Sequence, residues 1–226
     1  MYQPYKIKSL QNIDSKTYTV RRRMGSSPPE LTASASILND AEELTDFVYP
    51  WETGKPVASM KFKAMYDDQW LYWLFQVEDE DIKIHVDKNE KEEVVYSDRV
   101  ELFFTTDEAL SSYYCLEIDP LARVFDYRGS HYRKFNTSWN WPEGHLNVYA
   151  QRSNIGYSVT GMISIESLKK LDLLKNAMLR CGLYRGKCME INLEKEAMKW
   201  ISWIDPKSAS PDFHIPSSFG TLRLEG

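Results

Sequence analysis

Arg99 and Glu101 stand two residues apart in the phrase Ser97-Asp98-Arg99-Val100-Glu101-Leu102-Phe103-Phe104. Side chains alternate along a strand, so Asp98, Val100, Leu102 and Phe104 share one face and Ser97, Arg99, Glu101 and Phe103 the other. A guanidinium and a carboxylate on the face opposite a core are groups that hydrogen-bond a polyhydroxylated ligand. Glu101 has a second reading, as a plain ion-pair partner of Arg99. The loop 128–145 holds Trp139 and Trp141 among Arg, His and Asn residues. Exposed aromatics on a loop point to recognition; folded back, the same rings form a lid on the core. His131 and His214 are the histidines placed for function, with a structural role at the C-terminal turn as the other reading of His214. The run Glu78-Asp79-Glu80-Asp81 has the oxygens a hard cation needs but lacks EF-hand spacing, and a solvated turn explains it as well.

The elements that position these groups are strands. Alternating or apolar segments occur at Thr17–Arg22, Met60–Tyr66, Trp70–Val77, Ser97–Phe104, Tyr113–Asp119, Val124–Tyr127, Leu146–Gln151, Gly156–Ile163, Leu179–Tyr184, Glu190–Leu193, Lys199–Trp203 and Phe219–Leu224. Asp67-Asp68 makes a hairpin turn between the second and third. Ser164 is placed to cap one short helix over 165–174, with Leu168, Leu171 and Leu174 inward. Many short strands and one helix predict an all-β fold, an antiparallel two-sheet β-sandwich. We expect a single domain over 1–226, its first 56 residues an irregular wrapping segment punctuated by Pro and Gly. No βαβ alternation and no nucleotide or hydrolase motif is present.

Composition narrows the function classes. The chain has 226 residues, a net charge of -5 and 13% aromatic residues, including 7 Trp and 14 Tyr. The acidic balance argues against a nucleic-acid partner. Aromatic residues favour strands and supply flat platforms for ligands. Cys115, Cys181 and Cys188 read as small core residues; a Cys181–Cys188 disulfide is the alternative. No segment has the length and apolarity of a membrane span. Residues 1–10 carry no signal-like apolar stretch, which reads as a cytoplasmic chain, or as a secreted or periplasmic one whose signal has been removed.

At this point the chain resembles the family 9 carbohydrate-binding modules, in particular their single-domain relatives of the DOMON-like sandwich type. The resemblance rests on the strand from Leu71-Tyr72 to Glu78-Asp79, the Ser-Asp-x-Val-Glu-Leu-Phe phrase at 97–103, the strand Tyr113–Asp119, the strand and helix from Gly156 to Leu168, and the segment Trp203–Leu224. It implies a lectin-like, non-catalytic module that binds a mono- or oligosaccharide. In such modules two aromatic rings clamp a sugar and a strand glutamate binds its hydroxyls. The resemblance places Glu101 at that glutamate, Phe213 at one clamp ring and Tyr96 nearest the other. The Arg and Asn it implies on the following strand fall on Glu117 and Asp119. It also implies bound calcium as a family property.

The expected binding residues are therefore Tyr96, Arg99, Glu101, Trp139, Trp141, Phe213 and His214, with Tyr96, Glu101 and Phe213 converging and Trp139 or Trp141 at the rim. Three other functions compete. A glycosidase would use strand carboxylates such as Glu101, Glu117 and Asp119. A haem-binding relative would draw ligands from Met60, Met65 and the four histidines, without a CxxCH motif. A degenerate module would serve structure or assembly alone.

Overall fold

The computed structural model describes residues 16–24, 36–52, 59–193 and 197–226. Much of the expected wrapping segment, at 1–15, 25–35 and 53–56, lies outside the described residues. Thirteen strands form two layers. They are β1 (Thr17–Arg22), β2 (Ser59–Tyr66), β3 (Trp70–Glu78), β4 (Arg99–Thr105), β5 (Tyr113–Ile118), β6 (Val124–Ser130), β7 (Lys134–Asn136), β8 (Leu146–Ser153), β9 (Gly156–Ser164), β10 (Leu174–Lys175), β11 (Met178–Cys188), β12 (Met198–Ser202) and β13 (Gly220–Leu224). The first sheet runs β7-β6-β5-β4-β11-β13, with β10 and β12 also on β11; the second runs β2-β3-β9-β8.

β1 joins the two sheets. Its residues Thr17–Val20 pair with β13, and Arg21 and Arg22 pair with β2. Both pairings are parallel, whereas every other strand pairing is antiparallel, so the expected antiparallel sandwich is modified at this one strand. Parallel neighbours distant in sequence leave no hairpin signal to read.

The core lies between the layers. Val100, Leu102 and Phe104 of β4 meet Phe62, Trp73 and Phe75 of the second sheet and Leu183 of β11 in one apolar cluster. Each such side chain, fully buried, contributes roughly 1.5–3 kcal/mol. Phe103, on the opposite face of β4, belongs to a second cluster with Tyr113, Cys115, Tyr127, Tyr184 and Phe213. The alternation expected for 97–104 is therefore present. The short helix α1 (Ile165–Lys170) follows Ser164, whose side chain accepts a hydrogen bond from the Ser167 amide at 3.0 Å. All three cysteines are free and buried. No described helix is long and apolar enough to cross a membrane.

Three local readings differ from expectation, the first being the helix expected over 165–174, which ends at Lys170 and leaves Leu174 in β10. Residues 128–136 form a hairpin, Arg128 pairing Asn136 and Gly129 pairing Phe135, where a long loop was expected. Its turn uses Arg133 at φ 53°, a left-handed position that Gly or Asn normally marks, so the turn signal was missing. Glu190–Leu193 is not a strand. β11 instead continues to Cys188, which pairs with Met198, and the chain then leaves the sheet.

Candidate functional site

On the outer face of the first sheet a cavity of about 350 Å³ opens. β4 supplies Arg99, Glu101 and Phe103, β5 supplies Glu117, and β6 supplies Phe125 and Tyr127. The walls are Tyr96 from the turn Lys91–Tyr96, Trp200 of β12, Phe135 of β7, and Asp212, Phe213 and His214 of the C-terminal loop. Glu101 pairs with Glu117 across β4 and β5 and with Tyr184 across β4 and β11. Gly186 sits opposite both Arg99 and Trp200; a Cβ there would lie 3.2 Å from an Arg99 nitrogen and 2.7 Å from Met198. Glycine keeps that space open for the guanidinium.

Arg99 organises the floor. Its Nε lies 2.9 Å from Glu101 Oε1 and 2.6 Å from Glu117 Oε2, and its Nη1 donates to the Val95 carbonyl at 2.8 Å. The guanidinium also lies 5.1 Å from the centre of the Trp200 ring, within cation–π range. Tyr127 donates its hydroxyl to Glu117 Oε1 at 2.9 Å. Burial pushes the Tyr127 hydroxyl well above its usual range, so it stays a donor. Glu117 Oε2 is buried in its ion pair with Arg99 and accepts no further hydrogen bond from the described residues.

The walls are aromatic. Phe213 stacks on Tyr184 at 4.0 Å with the rings 10° from parallel, and Trp200 and Trp51 close on it at 5.5 and 5.2 Å. His214 stacks on Phe103 at 5.2 Å and meets Phe135 edge-on at 4.8 Å. Its ring is partly exposed, but its Nδ1 is buried with no hydrogen-bond partner among the described residues. Burial first, and then the nearby Arg133 charge, lower the His214 pKa to about 3, leaving the ring neutral near pH 7. Arg133 pairs with Asp212 at 3.0 Å, and the Tyr132 hydroxyl donates to Asp212 at 2.8 Å, tying the β6–β7 turn to the C-terminal loop.

The structure thus brings Tyr96, Arg99, Glu101, Phe213 and His214 to one cavity. It corrects the expectation for Trp139 and Trp141. Trp141 is buried in the inter-sheet core, its Nε1 donating to Ser167 Oγ at 3.1 Å and its amide to Asp126 Oδ2 at 2.6 Å. Trp139 packs on Tyr114 at 4.9 Å and on Trp141 at 5.7 Å. These rings are the lid on the sandwich, because the indole finds both apolar burial and an acceptor there.

Trp200 is a cavity residue that sequence reasoning did not place in the site, and Glu117 entered it only as a departure from the family pattern and as a glycosidase carboxylate. Glu117 carried a signal, standing on the strand after Glu101. Asp119, the other departure from the family pattern, is buried and structural: Oδ1 accepts from the Leu121 and Arg123 amides, and Oδ2 pairs with Arg123 at 2.7 Å. Among the described residues no three His, Cys, Asp or Glu groups converge on a metal position. In the acidic run Asp79 pairs with Arg185 and Lys187, and Asp81 pairs with Lys83.

Residues 32–226 match the model of the carbohydrate family 9 binding domain-like proteins. The chain belongs to that family. No curated protein matches it. Solved structures share the fold. A candidate carbohydrate-binding protein from Bacteroides uniformis ATCC 8492 is 18% identical, with a TM-score of 0.73 over 93% of this chain and 100% of that one. A family 9 carbohydrate-binding module from Caldicellulosiruptor kristjanssonii in complex with glucose is 19% identical, with a TM-score of 0.57 over 93% and 96%. Its complex with cellotriose gives 17% and 0.61 over 93% and 94%. At these identities the likeness is one of architecture.

Proposed function

We propose that this family 9 module binds a saccharide reversibly and without catalysis in the cavity on the first sheet. The observation that carries the reading is the floor. Glu101 and Glu117 flank Arg99 inside an aromatic-walled recess. A sugar has a face of C–H groups and a rim of hydroxyls. Tyr96, Phe213 and Trp200 suit the first, and the carboxylates accept from the second. The Caldicellulosiruptor kristjanssonii module, seen with glucose and with cellotriose, supports a saccharide as the ligand.

A glycosidase fits this floor poorly. Its two carboxyl groups must flank a scissile bond. Here the space between Glu101 and Glu117 holds the Arg99 Nε of their shared ion pair.

Calorimetric titration with cellotriose and a glycan array test the proposal. We expect a defined saccharide hit that Glu117→Gln and Glu101→Gln weaken, with no release of free sugar over days. A folded protein that binds no glycan would overturn it, and so would turnover abolished by either substitution.

A further inference from the structure

We propose a second binding groove, on the outer face of the opposite sheet, for an extended neutral saccharide chain lying across β2, β3, β9 and β8. A recess of about 410 Å³ opens there, lined among others by Lys61, Gln76, Ser158, Gln151 and Ile155. The register aligns its polar groups in one row: Lys61 opposite Gln76, Gln76 opposite Ser158, and Ser158 opposite Gln151. Three inter-strand spacings make the row roughly 14 Å long, the scale of a short oligosaccharide rather than one ring.

The side chains of Gln76, Ser158 and Gln151 make no hydrogen bond to any described residue. Each amide offers two donors and an acceptor, and the hydroxyl offers both, which matches a row of sugar hydroxyls. The charged side chains lie at the ends and have partners of their own. Lys61 pairs with Glu43 at 3.1 Å, and Glu78 accepts from Ser59 Oγ at 2.7 Å. The centre of the row is neutral, so it suits a neutral chain.

The same face shows what covered ground looks like. Its apolar part, Met65, Tyr72 and Leu74, is sealed by Leu38. No described residue covers the amide row. Tyr149, 40% exposed, stands two residues from Gln151 on the same face of β8 and offers a ring for C–H stacking. Ile155, 62% exposed, stands at the end of the recess in the β8–β9 turn. Gly156 in that turn has φ 150°, and a Cβ there would lie 1.9 Å from the Val77 carbonyl oxygen, so only glycine lets the turn close onto β3.

The test uses the full chain labelled with ¹⁵N, titrated with cellohexaose, xylohexaose and hexagalacturonate. The side-chain amide signals of Gln76 and Gln151 should move with a neutral hexasaccharide, in the wild type and in Glu101→Gln. In the Glu101→Gln background, Gln76→Ala with Gln151→Ala should weaken that binding about tenfold. Both glutamines are exposed, so the double variant folds. Amide signals that stay still with both neutral chains overturn the groove. Equal shifts with hexagalacturonate overturn its neutral selectivity. Groove signals that move while Glu101→Gln changes nothing would remove the cavity reading and leave this one standing.

Discussion

Asp98 and Arg99 are neighbours in the chain, and the strand places them in opposite worlds. Asp98 points into the sandwich, where it meets Arg185 and Lys187 of β11, each at 3.4 Å, together with Asp79. The Lys83 and Cys188 amides donate to the same carboxylate at 2.7 and 3.2 Å. Two cations face two carboxylates there, nearly sealed from water. Arg99 points outward, where one guanidinium faces Glu101 and Glu117 on the floor of an open cavity. Both clusters join acids and bases from adjacent strands. Each also holds buried polar atoms without a hydrogen-bond partner among the described residues, Arg185 Nε and Nη1 in the first and Glu117 Oε2 in the second, but only the second lines an open cavity. Charge composition does not mark a site; access does.

The largest effect should come from the sealed cluster. Asp98→Ala leaves Arg185 and Lys187 short of a counter-charge and should cost about 3–5 kcal/mol in urea unfolding. A loss below about 1 kcal/mol would mean that the two clusters do not differ in this way. Next comes the open floor. Glu101→Gln and Glu117→Gln should each weaken cellotriose binding about ten- to a hundredfold, the scale of a hydrogen bond to a charged group, with a smaller stability loss than Asp98→Ala.

Trp141→Phe sharpens the assignment of the loop. It removes the Nε1 bond to Ser167 and should lower stability by about 1–2 kcal/mol while cellotriose affinity is unchanged. Affinity lost with stability intact would return Trp141 to the site.

The smallest effect is a pH slope from His214. Its folded pKa, about 3, lies below the ordinary value of 6.5. The unfolded chain therefore takes up the proton first, and the stability from this group is present above about pH 6.5 and declines as pH falls toward 3. His214→Phe should flatten the melting-temperature profile across that window; an unchanged slope would show that the ring is not held neutral by burial.

The face alternation of 97–104 was legible because a period of two is a local property. So was the Ser164 cap, since its hydrogen bond spans three residues. Trp139 and Trp141 were not legible. A polar loop around two indoles reads the same whether it projects or folds back, and what decided was an acceptor 26 residues away at Ser167. Glu117 was readable as a strand acid, but its meeting with Glu101 depends on the β4–β5 register.

By itself the sequence determined most of the strands, the sandwich, the family, and Arg99 and Glu101 as outward groups on a core strand. Only the tertiary structure decided which distant segments wall the cavity, that Glu117 shares Arg99, and that β1 crosses between the sheets. The division is physical. Alternation and capping act over a few residues, whereas register and loop return are settled by packing between segments far apart in the chain.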